Sequence, residues 1–250
     1  MKIVVPSIIA VACVGSPVLA SVVDAPGGFA LRSQANINLG GSTRTTGSVG
    51  ALGSVTKGWD AFVDGTVEQG STRTWITPSL SGWSSVPGSN VYLDWSQTRS
   101  LNPGNYGALT SNSSVTLNLS AGEYGFSSFQ LGWSGVVNAD TSAGDVYVMI
   151  NGALTAGDAT RFQVTGPGTL YLVSKGNASF GFQSQVRGAV YSDAGLTFGT
   201  QASLNGYAYA KGTIDAGYGA QFIYNTVPGP GAMALLSGAA ALATGRRRRS

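Results

Sequence analysis

The stretch VRGAVYSDAGLTFGTQAS at residues 186–203 runs straight into LNGYAYAKGTIDAGYGAQ at 204–221. Set one above the other, Gly188 falls on Gly206, Tyr191 on Tyr209, Leu196 on Ile214 and Gly199 on Gly217. Phe180-Gly181 precedes Phe198-Gly199 by the same 18 residues. The period recurs in LNPGNYG (101–107) and LSAGEYG (119–125), which align Leu101 with Leu119, Gly104 with Gly122 and Tyr106 with Tyr124. Near the start, Gly47-Ser48-Val49 and Gly65-Thr66-Val67 are again 18 apart. Inside each unit apolar residues alternate, as in Val115-Leu117-Leu119, Val146-Val148-Ile150, Leu170-Leu172 and Val186-Gly188-Val190. Alternation bounded by Gly, Asn, Asp and Ser reads as short half-buried strands between turns. Eighteen residues make three strands and three corners, one coil of an all-β, triangular parallel β-solenoid. Such coils stack about 4.8 Å apart and bury their faces on one another. Gly at matched corners is expected where turns need positive φ. A β-sandwich is the rival architecture, but its strands have no reason to keep a fixed period.

Composition narrows the chemistry. The chain has 250 residues, 37 Gly, no His, one Cys and 10% charged residues. A Gly-rich chain disfavours a helical bundle, since each interior Gly costs a helix roughly 1 kcal/mol. Without His there is no Ser-His-Asp triad, no Cys-His dyad and no imidazole zinc site. The expectation is a protein that is not an enzyme and carries no cofactor.

The two ends read as addresses. MKIVVPSIIAVACVGSPVLA opens with Lys2 and an apolar run, and Val18 and Ala20 supply small residues. This is a secretory signal peptide, residues 1–20, forming a short helix cut after Ala20. The lone Cys13 lies inside it; a lipobox at Ala10-Val11-Ala12-Cys13 is the alternative, without Leu three residues before the cysteine. At the other end Val227-Pro228-Gly229-Pro230-Gly231 precedes an apolar helical run, Ala232 to Gly245, and the cluster Arg246, Arg247, Arg248, Arg249. That order resembles the PEP-CTERM sorting signal of exported bacterial proteins, with Gly229 where the usual motif has Glu. The resemblance implies an exosortase-type processing enzyme as partner and a transient membrane anchor at 227–250. It covers about a tenth of the chain. Without Lys2 and the terminal arginines, the body 21–226 holds 9 basic and 11 acidic residues, so nucleic acid is not an expected partner.

Between the addresses, 21–226 reads as one solenoid domain. Residues 70–100, rich in Ser, Thr, Trp and Pro, break the repeat as an irregular excursion or cap. The body resembles the secreted β-solenoids of bactofilin-like polymers, choice-of-anchor proteins and ice-binding-like adhesins, through Pro103 to Gly107 and the coils at 188–210. Polysaccharide lyases share the architecture and need clustered Asp with a Lys or Arg base. Asp140, Asp145 and Asp158, with Arg161 and Lys175, are the residues that approach this, Asp140 and Asp158 being 18 apart; capping of turns is the plainer role. Asp60, Asp64 and Glu68 offer oxygen ligands on one face of a helix, although Ala61, Val63, Gly65 and Val67 fit a strand better, so no metal site is expected. Ice binding calls for a sustained Thr ladder, and the spacing pairs Thr197 with Asp215, Thr200 with Tyr218 and Thr116 with Ser134. Trp59, Trp75, Trp83, Trp95 and Trp133 fall within 75 residues; they stack on sugars if exposed, or pack the excursion on the solenoid if buried. Open solenoid ends would favour polymerisation. The expected function is a non-enzymatic exported surface or extracellular-matrix protein; the alternative is a carbohydrate-binding, lyase-like or ice-binding-like solenoid, with extracellular polysaccharide as a possible partner.

Overall fold

The computed structural model describes residues 28–71 and 88–225. Both terminal signals and the helices expected in them, together with Trp75 and Trp83, lie outside these residues. Among the described residues there is no helix; 25 strands form a three-faced parallel solenoid. On the first face, Val55, Ile37, Ile214, Leu196, Ala178, Leu154, Phe129, Leu109 and Val91 stand in parallel register. They define nine tiers, numbered here in that spatial order from tier 1 (Val55) to tier 9 (Val91).

Spatial order and chain order differ. The first strand, Phe29–Ser33, lies on the third face between Ser48–Ala51 and Ser203–Ala210. It completes tier 3, whose other two sides are Ile214–Ala216 and Gln221–Ile223, near the end of the described chain. The chain then builds tiers 2 and 1, passes between Ser71 and Gly88 to tier 9, and winds back to tier 3. Strands Val91–Leu93 and Thr98–Leu101 already belong to tier 9, so the coil resumes inside the stretch 70–100 that composition set apart. Burial drives this closure: an unpaired last coil would expose its strand edge and apolar interior.

Inside the tube, apolar ladders run from tier to tier. Phe129, Phe162, Phe180, Phe198 and Phe222 are buried; Phe180 and Phe198 stack at 5.2 Å and Phe198 meets Phe222 edge-on at 5.1 Å. Each such ring contributes about 1.5–3 kcal/mol by leaving water.

The 18-residue step holds where the chain turns the corner between second and third faces within one continuous strand. Gln185–Ser192 and Ser203–Ala210 do this at Gly188 and Gly206, with φ of 138° and 145°. A Cβ on Gly206 would overlap the Gly188 carbonyl oxygen. In tiers 6 and 7 loops replace that bend, between Thr165 and Leu170 and between Asp140 and Val146. The first-face steps there lengthen, from Phe129 to Leu154 and from Leu154 to Ala178. Several 18-spaced pairings slip, from these loops and from a corner in tier 8 that is longer than its counterpart in tier 9. Leu101 and Leu119 do pair, but Gly104 stands beside Tyr124 and Gly122 beside Val146. Thr116 pairs with Val136 rather than Ser134, and Asp140 stands between Ser120 and Thr165 rather than beside Asp158. The late repeat is in register: Gly188 with Gly206, Tyr191 with Tyr209, Leu196 with Ile214.

Candidate functional site

The corner between first and second faces has one structure in all nine tiers. Its first position is Gly in seven: Gly58, Gly40, Gly217, Gly199, Gly181, Gly157 and Gly132, followed by Asn112 and Asp94. These glycines do not have positive φ. They are needed for close stacking: a Cβ on Gly199 would lie 2.6 Å from the carbonyl carbon of Gly181, and one on Gly217 2.5 Å from Thr200 N. Positive φ comes two residues later, at Asp60, Ser42, Gly219, Gln201, Gln183, Ala159, Ser134, Ser114 and Ser96, with non-Gly values of 54–59°. The expectation that corner glycines serve turns with positive φ holds at Gly188 and Gly206 and is corrected at this corner. Close approach selects Gly, while the left-handed position accepts polar residues.

The residue between these two positions points outward. Its row, from tier 1 to tier 9, reads Trp59, Gly41, Tyr218, Thr200, Phe182, Asp158, Trp133, Ser113, Trp95. Eight backbone hydrogen bonds tie it together: the N–H of Ser42, Gly219, Gln201, Gln183, Ala159, Ser134, Ser114 and Ser96 each donates to a carbonyl oxygen of the row in the adjacent tier, at 2.7–3.2 Å. Aromatic residues occupy every odd tier and small residues every even one. All five rings are exposed, from 44% at Phe182 to 81% at Trp59. Tiers about 4.8 Å apart place consecutive rings roughly 10 Å apart and the end rings about 38 Å apart. The stacked pair Tyr147 and Tyr171, in neighbouring tiers, has centroids 4.8 Å apart and matches that step. A Cβ on Gly41 would come within 3.3 Å of the Tyr218 ring, so a larger spacer there would press on that ring.

Beside the row, on the second face, lies an open groove lined by Ser42, Ala159, Arg161, Gln183, Gln185, Gln201, Gly219 and Gln221. Gln183 Nε2 donates to Gln201 Oε1 at 2.8 Å. Glutamine amides offer donors and acceptors side by side, the equipment that neutral hydroxyl groups require.

The carboxylates considered from sequence serve turns and strands. Asp140 accepts from Ser142 N at 3.0 Å, and these Ser142 bonds hold its carboxyl below the usual range. Asp145 accepts from Thr169 N at 2.8 Å and from the Tyr147 hydroxyl. Asp158 accepts from Phe182 N at 2.8 Å, fixing the backbone of the aromatic row. Arg161 lines the groove, and Lys175 follows the third-face strand Leu170–Ser174. Asp60 pairs with Arg44 at 2.8 Å, Asp64 N donates to Thr45 O, and Glu68 accepts from Ser71 Oγ. They occupy separate corners and strands rather than one helix face, and no metal-holding group of three such residues occurs among the described residues.

Trp59, Trp95 and Trp133 are thus brought into one line, together with Tyr218 and Phe182, which sequence reasoning did not select. The available signal was the dipeptide Gly-aromatic at 58–59, 132–133, 181–182 and 217–218. On the first face the outward row is Thr56, Asn38, Asp215, Thr197, Ser179, Thr155, Gln130, Thr110, Tyr92. Thr197 does pair with Asp215, and the Thr positions are interrupted.

Fold and register make this a parallel β-solenoid of nine turns with an aromatic row on one corner. Residues 94–242, more than half of the chain, match the family described as Domain of unknown function (DUF7305), and the chain belongs to that family. No curated protein matches it. Among solved structures it resembles an ice-binding protein from the Antarctic ascomycete Antarctomyces psychrotrophicus, with TM-score 0.53 and 14% identity over 81% of this chain and 97% of that one. A second is an ice binding protein from an Antarctic Biological Consortium, with TM-score 0.46 and 18% identity over 79% of this chain and 87% of that one. The first likeness is one of fold.

Proposed function

We propose that this chain is a non-enzymatic exported protein of the cell surface or extracellular matrix that holds polysaccharide along its aromatic row. One observation carries this reading: five exposed rings stand in one row, on alternate tiers of a hydrogen-bonded corner, next to a glutamine-rich groove. Exposed large apolar side chains aligned over such a length are a binding surface. Flat rings with polar neighbours suit sugars, which present C–H faces and peripheral hydroxyls. The signal peptide and the PEP-CTERM-like tail, with exosortase processing and a transient membrane stage, complete the proposal by delivering the solenoid to the surface. The test is co-sedimentation of the purified chain with insoluble polysaccharides, alongside Trp133→Ala. The wild-type chain should pellet with at least one polysaccharide and the variant should not; absence from every pellet refutes the reading.

A second reading, ice binding, is favoured by the first-face row, where Thr155, Ser179 and Thr197 occupy three consecutive tiers. Its check is thermal hysteresis, with Thr155→Tyr as the variant. A depression that Thr155→Tyr removes would favour ice over sugar.

A further inference from the structure

The alternation in the aromatic row specifies more than an affinity for sugars, and the step taken here rests on the polysaccharide reading. We infer that the site takes a neutral β-1,4-linked polysaccharide in its extended two-fold form, lying parallel to the solenoid axis.

Rings at tiers 1, 3, 5, 7 and 9 repeat every two tiers, with Gly41, Thr200, Asp158 and Ser113 between them. An extended β-1,4-linked chain advances by close to one tier spacing per sugar. Successive sugars are turned over, so every second unit presents the same face. Such a chain places equivalent faces on Trp59, Tyr218, Phe182, Trp133 and Trp95, and the inverted units over the small spacers. A ligand with a one-sugar repeat would be matched by a ring in every tier. A coiled α-linked glucan would leave a straight row after a few units.

Charge narrows the class further. The row itself carries Asp158, and Arg44 at the near edge is paired with Asp60. The groove beside it offers four glutamines and a single cation, Arg161. This is a surface for hydroxyl and amide groups rather than for uronate carboxylates. With nine tiers from one end ring to the other, both included, the footprint is about eight to nine sugars.

The test is calorimetric titration of the full chain with cello-, xylo- and chito-oligosaccharides of two to eight units, and with maltohexaose and a hexameric uronate. At least one β-1,4-linked hexamer should bind about tenfold or more tightly than its dimer, and more tightly than maltohexaose or the uronate. Phe182→Ala should weaken the hexamer about tenfold or more, the scale of a central anchor. The exchange Phe182→Thr with Thr200→Phe keeps the number of rings and breaks the alternation; it should lose as much as Phe182→Ala. Equal binding of maltohexaose or the uronate, absence of length dependence, or full binding by the exchange variant would overturn the two-fold ligand while leaving polysaccharide binding intact. Failure of every sugar to bind would remove both.

Discussion

Two groups of aromatic side chains lie outside the tube, and they differ in spacing. On the third face Tyr171, Tyr191, Tyr207 and Tyr209 alternate with the inward Leu172, Val190 and Ala208, yet are buried in a cluster of their own. They and Tyr147 occupy successive tiers, so they touch: Tyr147 stacks on Tyr171, and Tyr191 meets Tyr207 edge-on at 5.8 Å while their hydroxyls bond at 2.9 Å. On the corner the rings stand two tiers apart, with small residues between them. Rings one tier apart find each other and contribute to stability. Rings two tiers apart stay exposed.

The largest expected effect breaks the buried group. Tyr207→Ala should destabilise the protein by about 3–5 kcal/mol in chemical denaturation, as for other large buried rings. A loss below about 1 kcal/mol would mean that the third-face cluster is not packed. Next, Gly199→Ala should cost about 1–3 kcal/mol, since its Cβ meets the backbone of the adjacent tier and a close-packed corner has no room to relax.

A smaller effect is expected from alkali. Burial raises the hydroxyl pKa of Tyr171 to about 12, with Asp145 adding to it, and that of Tyr209 to about 12, with Asp193 adding to it. Tyr147 and Tyr207 are raised in the same direction, first by burial. A folded pKa above the unfolded value near 10 means the stabilisation is complete below pH 10 and is lost as pH rises toward 12. Denaturant midpoints should fall across that window, and replacing Tyr171 and Tyr209 by Phe should flatten the fall. Smallest of all, Phe182→Ala should change stability by less than about 0.5 kcal/mol, the range of surface substitutions, while the proposed sugar binding should weaken about tenfold or more. A cost above about 2 kcal/mol would place Phe182 with the buried group instead.

Much of this was legible in the chain. The repeat at 186–221 contains the coil, its three strands and the stacked positions Gly188 on Gly206 and Leu196 on Ile214, because coils without corner loops keep a constant length. Where loops such as 141–145 lengthen the corner, the fixed period misplaces partners, which is why Asp140 and Asp158 do not stack. The tryptophans read first as packing for the excursion and only second as sugar-stacking rings; the exposure of Trp59, Trp95 and Trp133 corrects that order, and their common line is not legible in the sequence. Trp95, Trp133 and Phe182 are separated by unequal steps of sequence, and Trp59 reaches the same row only because of where tier 1 sits.

The sequence by itself determined the local period: alternating apolar residues, tight corners and a stacking unit that cannot bury its face alone. Only the tertiary structure decided the order of the tiers. Phe29–Ser33 completes the tier formed by residues 214–223, a contact between distant parts of the chain that no local pattern encodes. That docking sets Trp59 in line with Tyr218, and it exists because the open end of the last coil buries its strand edge against the first.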